Sequence, residues 1–337
     1  MTSARLRKVL PALLGVAALA LAVVAVVGDR HKLGPALGRI GPAAIVGSGL
    51  AALVGTGVIV ELWRQVLLGL GARVRPAVAA RVFFPSQLGK YLPGSVWPVL
   101  AQMEFGRRAG LHRRRMLTAN ALMLVLSLAA GLVVAGLCLP LSSTAALHRY
   151  WWTFAFLPLL VLCLHPRLIP ALADWGFGLL HRPPLDARLP VRASLRASGW
   201  AVISWIGLGV HVSLLARAFG ASGVSALLAA TGGMALAVCA GILVIPAPAG
   251  AGIRDAVLVA TLAPGIGATN GIAVALVSRA TLIMVDLVLA GFALALPAPR
   301  TAVPGQSARS GELAGQRAPQ QMPVDPDPRP VRDDPDR

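Results

Sequence analysis

Apolar residues fill long uninterrupted windows along this chain, and polar residues fall in short clusters between them. The windows run at about 9–27, 42–62, 116–139, 151–169, 199–219, 224–245 and 269–296. Most reach the roughly 20 residues that carry a helix across a hydrocarbon core. Two further stretches are apolar but interrupted. FFPSQLGKYLPGSVWP, Phe83 to Pro98, holds a lysine, two glycines and three prolines. GILVIPAPAGAGIRD, Gly241 to Asp255, holds Pro246, Pro248, Gly250 and Gly252 before Arg254 and Asp255. Proline removes a backbone donor and glycine permits positive φ, so a helix ends or turns at such places. Broken backbone survives at membrane depth only where protein or a water-filled cavity satisfies the freed polar groups. The pattern predicts an all-α, polytopic integral membrane protein with about seven to eight transmembrane helices and two broken or re-entrant segments. The order of two spans, a broken segment and a span occurs twice, as in transporters whose sites lie at a repeat interface.

Composition agrees: 56% of the 337 residues are hydrophobic, 13% are charged, and mean hydropathy is +0.74. Soluble domains carry about 25% charged residues. From Pro297 onward the apolar residues give way to Pro, Asp, Arg, Gly and Gln, ending in VDPDPRPVRDDPDR. Such a segment has nothing to bury and reads as disordered. The expected organisation is a membrane domain over 1–297 and a tail over 298–337.

The net charge of +18 suggests nucleic acid at first sight. The basic residues, however, sit in short loops between spans: Arg64, Arg73, Arg75 and Arg81, then Arg107, Arg108 and Arg113 to Arg115, then Arg182, Arg188, Arg192 and Arg196. That distribution fits the positive-inside rule, and the same patches suit anionic headgroups. No nucleic-acid partner is expected. Arg5, Arg7 and Lys8 before the first window place the N-terminus inside, and an even span count places the tail inside as well. Trp63 at the end of the second window, and Trp151 with Trp152 at the start of the fourth, suit the interface.

Candidate chemistry concentrates at the breaks. Lys90 brings a positive charge, Pro93 and Gly94 a turn, and Tyr91 and Trp97 amphipathic rings. The set reads either as an anion site or as an interfacial turn with a snorkelling lysine. At the second break, Arg254 can be neutralised by Asp255 or by a lipid phosphate. Glu61, Arg279 and Asp286 lie within spans, where ionisable groups face the bundle interior. Arg279 and Asp286 share roughly one helix face, and Glu61 with Asp286 can balance Arg254 and Arg279. His211 reads as a satisfied polar contact. Cys138, Cys163 and Cys239 fall in apolar windows without metal-ligand spacing. No nucleophile constellation and no phosphate loop is visible. No catalytic residue, metal or cofactor is expected.

The motif Lys-Tyr-x-Pro-Gly-x-x-Trp, from Lys90 to Trp97, and Pro-x-Gly-x-Gly-x-Arg-acidic, from Pro248 to Asp255, resemble the membrane domain of lysylphosphatidylglycerol synthases. The resemblance covers roughly Val9 to Leu296 and includes Arg279. Family members have glutamate where this chain has Asp255, which keeps the charge and shortens the arm. In two-part members this domain is associated with flipping the aminoacylated lipid, and a separate soluble domain performs aminoacyl transfer. The resemblance therefore implies a flippase-like translocase of the bacterial inner membrane, not an enzyme. Its partner would be an anionic or aminoacylated phospholipid or a polyprenyl-phosphate-linked sugar. Lys90, Tyr91, Pro93, Gly94, Trp97, Arg254 and Asp255 would bind it, with Glu61, Arg279 and Asp286 balancing charge in the cavity. The alternatives are a non-transporting scaffold with an envelope-biosynthesis protein partner, and an aminoacyl-phosphatidylglycerol synthase component.

Overall fold

The computed structural model describes residues 38–92, 97–165, 168–179, 189–243 and 252–297. The window at 9–27, Pro93, Gly94, Pro246, Pro248, Gly250 and the tail over 298–337 lie outside the described residues. Among the described residues all regular structure is helical. The helices are α1 (Pro42–Gly57), α2 (Ile59–Gly69), α3 (Pro76–Gln87), α4 (Trp97–Arg108), α5 (Arg113–Cys138), α6 (Thr144–Tyr150), α7 (Thr153–Cys163), α8 (Leu168–Leu179), α9 (Val191–Ala216), α10 (Gly223–Leu243), α11 (Ile253–Ile266) and α12 (Ala268–Ala295). A 3₁₀ turn, Leu88–Tyr91, continues α3.

Among the described residues, five helical stretches have the length and apolarity to cross a bilayer: Pro42–Gly69, Arg113–Ser142, Val191–Phe219, Gly223–Leu243 and Ala268–Ala295. The chain is an all-α polytopic membrane protein. The first of these stretches runs seven residues beyond its expected end at Leu62. Trp63 is consequently no interface anchor: it is fully buried, its ring 5.6 Å from that of Phe83. The window at 151–169 does not form one helix. It divides into α7 and α8, and α7, with 11 residues, is about 16 Å long against a core of roughly 30 Å. Pro158 lies inside α7 and cannot donate to the ladder.

The outer surface differs from that of a soluble protein, while the core remains largely apolar. Apolar stripes face outward, with Val46, Leu50 and Val54 on α1 and Met284, Val288 and Phe292 on α12 all more than half exposed. Their spacing of four makes one lipid-facing stripe on each helix. His211 and Asp286, in contrast, are buried. α9 stands at the centre and packs against α1, α2, α5, α10 and α12. Membrane helices gain little from excluding lipid and associate by close packing and hydrogen bonds. The α1–α9 crossing shows both. A side chain at Gly207 would start 2.7 Å from the Cα of Gly55, and the Ser204 hydroxyl donates to the Gly55 carbonyl at 2.7 Å.

α3 and α4 have 12 residues each, about 18 Å, too short to span alone. The helix persists further into the first interrupted stretch than the sequence suggests: Phe83, Phe84 and Pro85 are inside α3, and regular bonding lasts to Tyr91. Pro85 merely leaves one helical bond unmade. α3 lies antiparallel to the second half of α12. Arg81, midway along it, bonds the carbonyls of Leu294, at 2.9 Å, and Leu296, while Lys90 and Tyr91 past its end reach Asp286.

Candidate functional site

Lys90 and Tyr91 occupy the last positions of the 3₁₀ turn, which closes with the Leu92 N–H on the Gly89 carbonyl at 3.1 Å. Gly89 is needed there, because a Cβ would meet the backbone of Trp97 and Pro98 at 2.9 Å. The start of α4 thus packs on the turn and holds it against α12. Lys90 Nζ lies 2.6 Å from Asp286 Oδ2, and the Tyr91 hydroxyl donates to the same oxygen at 2.5 Å. Asp286 is 4% exposed and Lys90 34%, so the pair has a closed side and an open side.

The second half of the site comes from the start of α11. Gly252, at φ 88°, begins that helix, and its N–H bonds Asp255 Oδ2 at 3.3 Å. A carboxylate in the first turn also suits the positive end of the helix dipole. The same Asp255 oxygen accepts from Arg279 Nη1 of α12 at 2.9 Å. Arg254 lies within electrostatic reach of Asp255, Tyr91, Arg279 and Asp286. Its Nε is shielded from solvent and has no hydrogen-bond partner among the described residues.

Lys90, Tyr91, Arg254, Asp255, Arg279 and Asp286, drawn from three chain segments, therefore form one cluster. Arg279 and Asp286 lie either side of the middle of the 28-residue α12, which sets the cluster midway along that helix. The three cations and two carboxylates leave one positive charge. Trp97 stands beside the cluster through Gly89. Pro93 and Gly94 are outside the described residues.

The pairing differs from the expected one in two respects. Asp255 lies within electrostatic reach of its neighbour Arg254 but bonds Arg279, since consecutive helical residues point about 100° apart. Glu61 does not balance Arg254 or Arg279. Arg64, one turn along α2, bonds both its carboxylate oxygens at 2.8 Å, and Gln65 adds a bond at 2.5 Å. That neighbour was visible in the sequence as an i,i+3 acid–base pair. The Tyr91–Asp286 bond joins residues 195 apart in the chain and had no local signal. Arg81, counted among the topology-setting arginines, caps the end of α12.

Beside the cluster is a second polar centre. His211 of α9, fully buried, has Nδ1 2.7 Å from Ser48 Oγ and 3.1 Å from the Ser48 carbonyl, and Nε2 2.9 Å from Ser278 Oγ. A carbonyl can only accept, so Nδ1 carries the proton and Nε2 takes the Ser278 hydroxyl proton. The imidazole ties α1, α9 and α12 together. Among the described residues no group of His, Cys, Asp and Glu has the arrangement to hold a metal ion.

Fold and site together define a multi-pass membrane protein with an ionic centre midway along α12, where α3 ends and α11 begins. The chain belongs to the family described as Lysylphosphatidylglycerol synthase TM region, whose model matches residues 11–290. Membership associates this membrane protein with lipid handling. Neither a curated protein nor a solved structure matches the chain.

Proposed function

We propose that the chain is a flippase-like translocase that moves a phosphate-bearing lipid between leaflets of the bacterial inner membrane. The substrate is an anionic or aminoacylated phospholipid or a polyprenyl-phosphate-linked sugar. One observation carries the reading: a cluster with one surplus positive charge, partly open, midway along a helix long and apolar enough to cross a bilayer. Charged groups there are costly and mark the paths of polar cargo. Lys90, Arg254 and Arg279 would contact the phosphate. Tyr91 and Trp97 would line the headgroup path. The N-terminus and the tail over 298–337 would both be cytoplasmic. Aminoacyl transfer is not assigned to this chain, and its expression alone should leave phosphatidylglycerol unmodified.

The test is reconstitution into vesicles with a fluorescent phosphatidylglycerol, followed by quenching of the outer leaflet. Wild type should exchange lipid faster than empty vesicles, and Lys90→Ala should lose most of that gain. Equal rates for the two, both above empty vesicles, would remove the role given to Lys90. A protein partner that co-purifies while lipid stays still would favour a scaffold.

A further inference from the structure

Among the described residues, two of the cluster's three cations, Lys90 and Arg279, each meet a carboxylate, and Arg254 does not. Lys90 and the Tyr91 hydroxyl converge on a single oxygen of Asp286. Arg279 and the Gly252 N–H converge on a single oxygen of Asp255. Two donors meeting at one anionic oxygen is also how a protein holds a phosphate oxygen. Arg254 alone has its Nε shielded and without an acceptor, and among the described residues no carboxylate forms a salt bridge with it. A shielded guanidinium donor lacking an acceptor is costly. The missing counter-charge is one negative unit, the charge of one phosphodiester.

Building on the translocase reading, we infer that Asp255 and Asp286 are internal competitors of the substrate's phosphate, so that the structure is a self-neutralised resting state. The phosphate docks first at Arg254, the cation left over. It reaches Lys90 or Arg279 only by taking the place of an aspartate. Release is the reverse: the carboxylate returns to its cation and the lipid is let go. The aspartates thus weaken resting affinity and make turnover possible. Asp286, which engages both a lysine and a tyrosine, is the stronger competitor. Asp255 also caps α11, so removing its charge frees Arg279 but weakens a helix start.

The experiment titrates the purified full chain in mild detergent with four probes: dihexanoyl phosphatidylglycerol, geranyl phosphate, inorganic phosphate and dihexanoyl phosphatidylcholine. The first two separate a phospholipid from a polyprenyl-phosphate source, the third tests a free anion, and the last is zwitterionic. The expected result is that Asp286→Asn binds the preferred anionic lipid about tenfold more tightly than wild type, the order expected when one well-placed like charge is removed. Asp255→Asn should gain less. Both should exchange lipid more slowly, because release loses its driving carboxylate. Folded Asn variants that bind as wild type does, or more weakly, would overturn the inference while leaving lipid binding itself intact. Wild type that binds no phosphate-bearing probe above phosphatidylcholine would overturn the translocase reading and the inference with it. Should a variant not fold, infrared difference spectra of wild type answer the same question. Phosphatidylglycerol should shift a carboxylate band as an aspartate leaves its cation, and an unchanged carboxylate region would overturn the inference.

Discussion

Two polar centres meet on α12 at consecutive residues, and they solve the problem of burying polarity in opposite ways. At Ser278 the chain joins the His211 centre, which is fully buried, saturated with hydrogen bonds and formed from one residue each of α1, α9 and α12. At Arg279 it joins the ionic cluster, which is charged, partly open and short of one acceptor. A saturated network rigidifies the elements it joins, whereas a charged and incompletely paired one is costly and persists where a ligand can complete it. The contrast separates a clip from a site more cleanly than conspicuousness in the sequence does. The Glu61–Arg64 pair makes the point again: it is as eye-catching as Asp286, yet it is a local pair on one helix.

The contrast can be broken by variants that act on one centre only. Arg279→Gln should have the largest effect on lipid movement, slowing leaflet exchange about a hundredfold, the equivalent of about 2.7 kcal/mol. Exchange at the wild-type rate would make the cluster as structural as the clip. His211→Ala should leave the Ser48 and Ser278 hydroxyls stranded beside a cavity and cost about 2–4 kcal/mol of stability, read from thermal unfolding in detergent. Exchange per folded molecule should stay within about twofold of wild type, since the variant removes no charge from the cluster. Arg81→Ala removes the donor to the last α12 carbonyls and should cost about 1 kcal/mol in the same melt. Glu61→Gln, at a local pair whose side chains are 20% and 19% exposed, should change stability by about 1 kcal/mol and exchange not at all. A larger loss of exchange there would return Glu61 to the cavity.

Whereas the window at 151–169, which divides into α7 and α8, was misread as one span, five spans were legible in the sequence, because hydropathy is local. So was most of the cluster's membership, since an ionisable residue in an apolar run is conspicuous wherever it folds. Partner choice was not legible. Asp255 sits next to Arg254 in the chain, but helical geometry turns it toward Arg279. Tyr91 finds Asp286 only because α3 runs back along α12. Trp63 looked like an anchor because hydropathy marks where an apolar run weakens, not where the helix stops; α2 continues to Gly69 and carries the ring into the core. His211 was readable as a satisfied group, but its role in tying three helices was not.

The antiparallel fastening of α3 to α12 has a mechanical consequence. At one end, Arg81 grips main-chain carbonyls, a fastening that no cargo can imitate. At the other, Lys90 and Tyr91 grip a side-chain carboxylate, which an arriving anion resembles. On the translocase reading proposed above, such a strap would hold at the Arg81 end and loosen at the Lys90 end, so latch and pivot would be told apart by chemistry.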